Sequence, residues 1–191
     1  MLNHRWYGAL FRGKYQPYRI MQLVVNCGVL ICALFLMISG LLMAWFIPAD
    51  WVGGALGFAR TTHLLASHWY YIFMAFHIGL HGKWILSRII QKNEERHSEL
   101  VSESNNEMPK QVRHDRLVIV SLRIIITLIS IYGVYAFITR GLWKYLFGLQ
   151  PFFFFDFERG YILFAIDYIS IIVLFGTVSY YIGKLFARGK K

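Results

Sequence analysis

Charge is scarce in this sequence and is almost missing from four long stretches of it. Only 16% of the residues are Asp, Glu, Lys or Arg, whereas 57% are hydrophobic and 18% are aromatic. A chain of 191 residues with so little polar surface cannot cover a water-soluble globule of that size. This composition excludes a soluble globular domain, and lipid is expected to surround much of the protein.

Cysteine is also rare, and several cofactor motifs are absent. Cys27 and Cys32 are five residues apart. On a helix this spacing separates their side chains by about 140°, so a disulfide between them is not expected. The sequence contains no Cys-x-x-Cys-His, which argues against covalently attached c-type haem. It contains no flavin-attachment sequence and no GxGxxG fingerprint, so any flavin is expected on a partner and not on this chain.

The four stretches poor in charge are long enough to cross a membrane, which takes roughly twenty residues for ~30 Å of hydrocarbon. They are Ile20–Ala49, Thr61–Gly82, Leu117–Thr139 and Gly160–Gly183. Because proline cannot continue the helical hydrogen-bond ladder, Pro48 predicts that the first helix ends near Ile47. Lipid offers the backbone no hydrogen-bond partner, and no period-two barrel pattern occurs. The sequence therefore predicts an all-α, four-helix transmembrane bundle.

The net charge of +10 raises the question of a nucleic-acid partner, and the positions of the Lys and Arg residues answer it. Sixteen of the twenty lie before the first stretch, between or at the ends of the second and third, or after the fourth. Only Arg60, Arg140, Lys144 and Arg159 lie on the other side. The positive-inside rule then places both termini in the cytoplasm. We expect a multi-pass protein of the plasma (cytoplasmic) membrane whose basic charge reflects topology, and no nucleic-acid partner.

The chain is predicted to form two hairpins. Residues 1–90 form the first transmembrane hairpin, residues 91–115 a charged cytoplasmic segment, and residues 116–191 the second hairpin. The charged segment is expected to be a solvated loop or a helical extension, and less often a docking surface. The run Phe152–Phe155 predicts an interfacial anchor or packing onto the bundle, with a partner or quinone contact as the sharper alternative. Asp167, an acid inside the fourth stretch, is expected to pair with a nearby hydroxyl, Trp or Arg, or to transfer protons.

Four of the seven histidines lie in the second stretch, at His63, His68, His77 and His81. An ionisable side chain inside a membrane is a candidate site. His63 and His77 are fourteen residues apart, which on a helix gives ~21 Å of axial separation and an angular difference of about 40°. His81 shares that face, whereas His68 points about 140° away.

This spacing permits more than one role. Two histidines on one face, ~21 Å apart on a helix, are placed to ligate two b-type haems, one near each side of the membrane. Zinc is less favoured because its ligands must converge on one point. His77 and His81, one turn apart, could still hold one metal ion together. Alternatively, the histidines form hydrogen bonds between helices or reach the membrane interface, or they line a proton path.

The stretch from Gly57 to Ile85 reads GFARTTHLLASHWYYIFMAFHIGLHGKWI. It resembles the signature of the flavinylation-associated cytochrome domain family, within the two-haem cytochrome b-like group, and the segment ISGLLMAWFIP resembles that family's first helix. The signature residues are His63, His77, His81, Lys83 and Trp84. The resemblance implies a membrane b-type cytochrome that exchanges electrons with extracytoplasmic domains carrying covalent flavin. It also implies one or two haem b groups with His63 and His77 as iron ligands and His81 as a weaker third candidate.

The sequence departs from that pattern, because the other three stretches contain no histidine to serve as a second axial ligand. Met43, Met37, an open position, a histidine from a second copy in a homodimer, or no haem at all are the alternatives. Two functions follow. The first is an electron-transfer subunit, more than a self-contained enzyme, with a cytoplasmic or quinone donor and an extracytoplasmic flavoprotein acceptor. The second is a haem-free membrane anchor or assembly subunit.

Overall fold

The computed structural model describes residues 16–82, 88, 108–153 and 160–188, in which all regular secondary structure is helical and turns join the helices. Within these residues there is no strand. The helices are α1 Pro17–Leu42, α2 Ala49–Val52, α3 Ala55–Leu80, α4 Met108–Thr139, α5 Leu142–Leu146 and α6 Gly160–Arg188. The all-helical fold class is therefore confirmed.

Three helices of the described chain are long and apolar enough to cross a membrane. They are α1, the Val120–Thr139 part of α4, and the Gly160–Phe186 part of α6. The second predicted span, now α3, is not among them, although it has 26 residues. Its three histidines lower its mean hydropathy, because imidazole is polar. The length and apolar composition of these three helices indicate a membrane protein with three candidate spans.

The first hairpin differs from the prediction at its turn. α1 ends at Leu42 and not near Ile47, and the chain turns there, with the Ala44 N–H donating to the Leu41 carbonyl (3.0 Å). Pro48 instead directly precedes α2, and its carbonyl accepts a hydrogen bond from the Trp51 N–H (3.0 Å). Proline suits a helix start, where its missing N–H costs nothing. α3 begins at Ala55, before the predicted Thr61, and Gly53 supplies the positive φ of 51° between α2 and α3.

The second hairpin is longer than predicted. α4 begins at Met108, inside the segment predicted as a charged cytoplasmic loop, so the helical-extension alternative holds for residues 108–115. Residues 91–107 of that segment lie outside the described residues. α6 begins at Gly160 as predicted but continues to Arg188. The short helix α5 was not predicted.

The long helices pack in the order α1, α3, α6, α4. The Tyr18 hydroxyl donates to the Leu80 carbonyl (3.2 Å), so the start of α1 lies beside the end of α3 and these helices are antiparallel. Ser179 donates to the Phe76 carbonyl (2.8 Å), and α3 and α6 run parallel.

A Cβ on Gly183 would approach the Tyr18 ring to 3.1 Å. Both ends of the described chain therefore lie at one end of the bundle, which we call the terminal end (Tyr18, Leu80, Gly183). The opposite loop end comprises residues 43–54 and 140–153.

Glycines bring the backbones of neighbouring helices into direct contact. A Cβ on Gly79 of α3 would lie 2.1 Å from the Gly176 carbonyl oxygen of α6. A Cβ on Gly133 of α4 would lie 2.5 Å from the Ser170 carbonyl oxygen of α6. Small residues at helix contacts allow the close approach that holds helices together where lipid removes the hydrophobic driving force. α6 is thus fixed closely to both α3 and α4.

We expect Gly79→Ala to lower the free energy of unfolding by about 1–3 kcal/mol, because its new methyl group must push α6 away from α3. Gly176→Ala is the matched control, since its Cβ would meet the Ala75 carbonyl oxygen at 3.5 Å, an ordinary contact. Unfolding in detergent, followed by circular dichroism, compares the two. Equal losses for both variants would contradict the described contact.

Candidate functional site

His63 and His77 both lie on the side of α3 that faces α1. His63 Nδ1 is 3.0 Å from the Ser39 hydroxyl oxygen, near the loop end. His77 Nδ1 is 2.9 Å from the Asn26 side-chain oxygen, nearer the terminal end. Ser39 is 3% exposed, whereas both imidazoles are half-buried. The antiparallel hairpin thus gives each of these two histidines one polar partner on α1.

The partners determine which ring nitrogen carries the proton. An amide oxygen only accepts, so Asn26 receives the N–H of His77 Nδ1. Ser39 donates its single O–H to the Phe35 carbonyl (2.5 Å), so its oxygen accepts from His63 Nδ1. Each Nε2 is then the nitrogen with a lone pair. Among the described residues, neither Nε2 has a hydrogen-bond partner. Both imidazoles therefore present Nε2 in the form that ligates a metal.

His81 adjoins His77 and lies just beyond the last turn of α3. The two ring centroids are 4.8 Å apart with planes inclined by 54°. His81 is exposed, and its backbone N–H donates to the His77 carbonyl (3.3 Å). Nowhere in the described part of the chain do three or more His, Cys, Asp or Glu side chains gather as a metal site. His81 and His77 are therefore two neighbouring imidazoles, and among the described residues they are not part of a larger ligand cluster.

His68 points away from this face, as its position on the helical wheel predicts. Its imidazole is 7% exposed and its ring is stacked on Tyr145 of α5, with centroids 4.6 Å apart and planes 6° from parallel. His68 Nδ1 is bonded to the Leu64 carbonyl (2.8 Å). The neighbouring Trp69 indole N–H donates to the Leu146 carbonyl (3.0 Å). These contacts fix α5 onto α3, so His68 has a packing role.

The phenylalanine run is only partly described. Phe153 packs near His68, with ring centroids 6.1 Å apart, and also contacts Tyr145 and Phe164. Packing onto the bundle is therefore the correct alternative for Phe153. Phe152 is 62% exposed, and residues 154–159 lie outside the described residues.

A second polar group lies between α4 and α6. Asp167 accepts a hydrogen bond from the Tyr132 hydroxyl (2.5 Å) and one from Arg140 Nε (2.7 Å). The Arg140 and Asp167 side chains are 11% and 8% exposed. The Arg140 guanidinium also lies over the Phe164 ring, 5.6 Å from its centroid. The expected pairing of Asp167 with a hydroxyl or an Arg is thus confirmed, with both at once.

Sequence reasoning missed the α1 partners of the histidines, although a signal was present. Asn26 and Ser39 are polar residues in an apolar helix and are thirteen residues apart. His63 and His77 are fourteen residues apart, so an antiparallel hairpin places both pairs in contact. The role of Arg140 could not be predicted in the same way. It follows the end of α4 directly, and the sequence shows only a charge outside the membrane stretch.

Comparison with protein-family models, with curated proteins and with solved structures finds no match for this chain. The resemblance of Gly57–Ile85 to a cytochrome signature therefore stays a prediction, and the site must be judged on its chemistry.

Removal of one charge from the Arg140 and Asp167 pair should destabilise the protein strongly. Asp167→Asn leaves the guanidinium buried without a counter-charge, and a loss of about 3–5 kcal/mol in the free energy of unfolding is expected. The double variant Arg140→Gln with Asp167→Asn should recover much of this loss, because no uncompensated charge remains. SDS titration of the folded protein in micelles measures both. A double variant as unstable as the single one would show that packing, and not charge, is responsible.

Proposed function

We propose that this chain is a membrane b-type cytochrome-like subunit that passes electrons across the bilayer through haem held by His63 and His77. The supporting observation is that α1 gives Nδ1 of each histidine an oxygen partner, so that each Nε2 would be available to bind iron. Metal-ligating histidines almost always donate their other ring N–H in this way, which fixes the ring and its tautomer. The two imidazoles are ~21 Å apart along α3, one toward each end of the bundle.

The donor set suits haem better than a bare metal ion. Each of His63 and His77 offers one imidazole from a helix surface, whereas zinc requires three or four converging ligands. Ser39 and Asn26 would hold the two rings in place, and His81 is a third, weaker candidate beside His77. Haem b supplies a reversible one-electron couple when bound, at a potential that its axial ligands and surroundings set. One or two haems per chain are compatible with these residues.

The proposal treats α3 as the fourth span of the bundle. α3 lies between α1 and α6, both candidate spans, and contacts α6 along its length from Tyr71 to Gly79. Its lower hydropathy comes from the same histidines that form the site. The terminal end would face the cytoplasm of a plasma membrane, since sixteen of the twenty basic residues belong to that side. A flavin-carrying protein would then meet the loop end, and a cytoplasmic or quinone donor would supply electrons.

A haem-free membrane anchor or assembly subunit is the second candidate, and one observation favours it. The bonds from His63 to Ser39 and from His77 to Asn26 tie α1 to α3 without any metal. Polar side chains that bond across helices stabilise membrane bundles by about 0.6–2 kcal/mol each. In this function the Nε2 atoms have no role, so a measurement of haem separates the two candidates.

The proposed orientation is tested with reporters. A reporter fused after Lys191, or inserted near Asn105, should stay cytoplasmic, and one inserted near Gly54 or Gln150 should be exported, because of the charge asymmetry. Paired alkaline phosphatase and fluorescent-protein fusions measure each site. Export of the Asn105 reporter would reverse the orientation and the side on which a flavoprotein binds.

Haem content tests the cofactor. His63→Ala and His77→Ala should each remove a different haem and leave about half of the wild-type content, since ~21 Å is too far for one macrocycle to contact both. Asn26→Leu should weaken haem binding about 10–100-fold at the His77 end, because the ring loses its orienting acceptor. Reduced-minus-oxidised spectra of purified protein, expressed with ample haem, give the content of each variant.

His68→Ala is the matched control, since this ring is stacked on Tyr145 and should leave the haem content unchanged. If His63→Ala and His77→Ala keep full haem while His68→Ala loses it, the ligand assignment is wrong. If the wild type binds no haem, and the two variants lose only stability, the anchor function is the better description.

A further inference from the structure

Among the side chains that the structure describes, a haem held by His63 or His77 would find no second histidine ligand outside α3 and the residue that ends it. Every histidine side chain that the structure describes belongs to α3 or to the residue that ends it. Haem iron has two axial positions on opposite faces of the macrocycle. A single straight helix cannot reach both faces, and His68, the one described imidazole on the far side of α3, is stacked on Tyr145. Met37 of α1 is 64% exposed.

The histidine face, formed by His63, His77 and His81 with Asn26 of α1 beside them, carries polar groups that the other described helices leave partly or fully exposed. Asn26 and His81 are exposed, and His63 and His77 are half-buried. The packing order α1, α3, α6, α4 leaves the α1 and α3 pair at one edge of the protein. Polar side chains that face lipid are costly, and in membrane proteins they almost always face protein or a cavity. A group that can pack against imidazole and amide side chains must therefore cover this edge.

We infer that a second copy of this chain covers this edge, so that its histidines supply the opposite axial ligands. The inference rests on the haem function proposed above. Copies of one membrane protein insert in the same orientation, so a two-fold axis relating them runs along the membrane normal. Such an axis puts each residue at the same depth as its equivalent, and residues that line the axis face their own equivalents.

The symmetry fits the spacing of the histidines. At the loop end, His63 meets the partner's His63, and nearer the terminal end, His77 meets the partner's His77. The two levels are ~21 Å apart on α3, so each level accommodates its own macrocycle. Ser39 and Asn26 bond the Nδ1 atoms of His63 and His77, and the same bonds in a second copy would leave Nε2 of each imidazole for iron. The dimer thus holds two haems on four histidines, one haem for each chain.

Mixed dimers distinguish shared from separate haem sites. Two differently tagged chains are co-expressed, one with His63→Ala and the other with His77→Ala, and the mixed dimers are isolated over both affinity tags. Shared sites predict that no level has two histidines, so the low-spin bis-histidine signal in electron paramagnetic resonance disappears. Separate sites, with one histidine for each haem, predict that the wild type has no bis-histidine signal and that the haem content of the mixed dimer falls only to about half. A mixed dimer of wild type with His68→Ala is the control and should keep the full signal.

A second measurement does not depend on haem spectroscopy. In a background of Cys27→Ser and Cys32→Ser, Tyr70→Cys lies on the histidine face, midway between His63 and His77. A short bis-maleimide reagent should link two Tyr70→Cys chains in membranes. It should leave Leu128→Cys unlinked, because this exposed α4 residue lies on another helix that packs against α6.

The outcomes separate the inference from the proposed function. A haem-loaded dimer by light scattering, with Tyr70→Cys links and loss of the signal in mixed dimers, supports the inference. A monomer with haem, or a wild-type dimer that binds haem without a bis-histidine signal, overturns the shared site and leaves the haem function intact. Wild-type protein without haem overturns both.

Discussion

In a bilayer, a polar side chain must find its partner within the protein, and this constraint sets how the helices of this chain meet. Ser39 and Asn26 bind His63 and His77 and so fix the register of α1 against α3. Arg140 and Tyr132 bind Asp167 and fix α4 against α6. If one helix of such a pair shifted along the other, a polar side chain would lose its partner. In an apolar surrounding, an unpaired polar group costs several kcal/mol.

Between α3 and α6 the constraint is one of shape. Gly79 and Gly176 place the two backbones in contact, and Ala75 is completely buried beside them. Side-chain pairs thus orient the helices within each hairpin, whereas the two hairpins meet through small residues together with the Ser179 to Phe76 hydrogen bond. α3 takes part in both kinds of contact, and this is why a helix with lower hydropathy than its neighbours lies between two of the most apolar ones.

The sequence predicted the all-helical class and the positions of the long helices, because runs without charge and their length depend on composition alone. It also predicted the direction of His68 and the pairing of Asp167. It did not predict where α1 ends, since Pro48 can either stop one helix or start the next. It missed α5 and the partners of the histidines for a related reason. Asn26, Ser39 and Tyr145 acquire their roles only when separate segments come together.

The contact between α3 and α6 has a consequence for biogenesis. The histidines of α3 make its transfer into lipid less favourable than that of α1, α4 or α6. A position of α3 in lipid therefore depends more on contacts with neighbouring helices. α1 precedes it in synthesis, but α6 is the last helix of the described chain to leave the ribosome. Until then the Gly79 side of α3 has no permanent partner. If α3 spans the bilayer as proposed, the insertion machinery or a chaperone in the membrane must tolerate a half-covered helix until α6 is made.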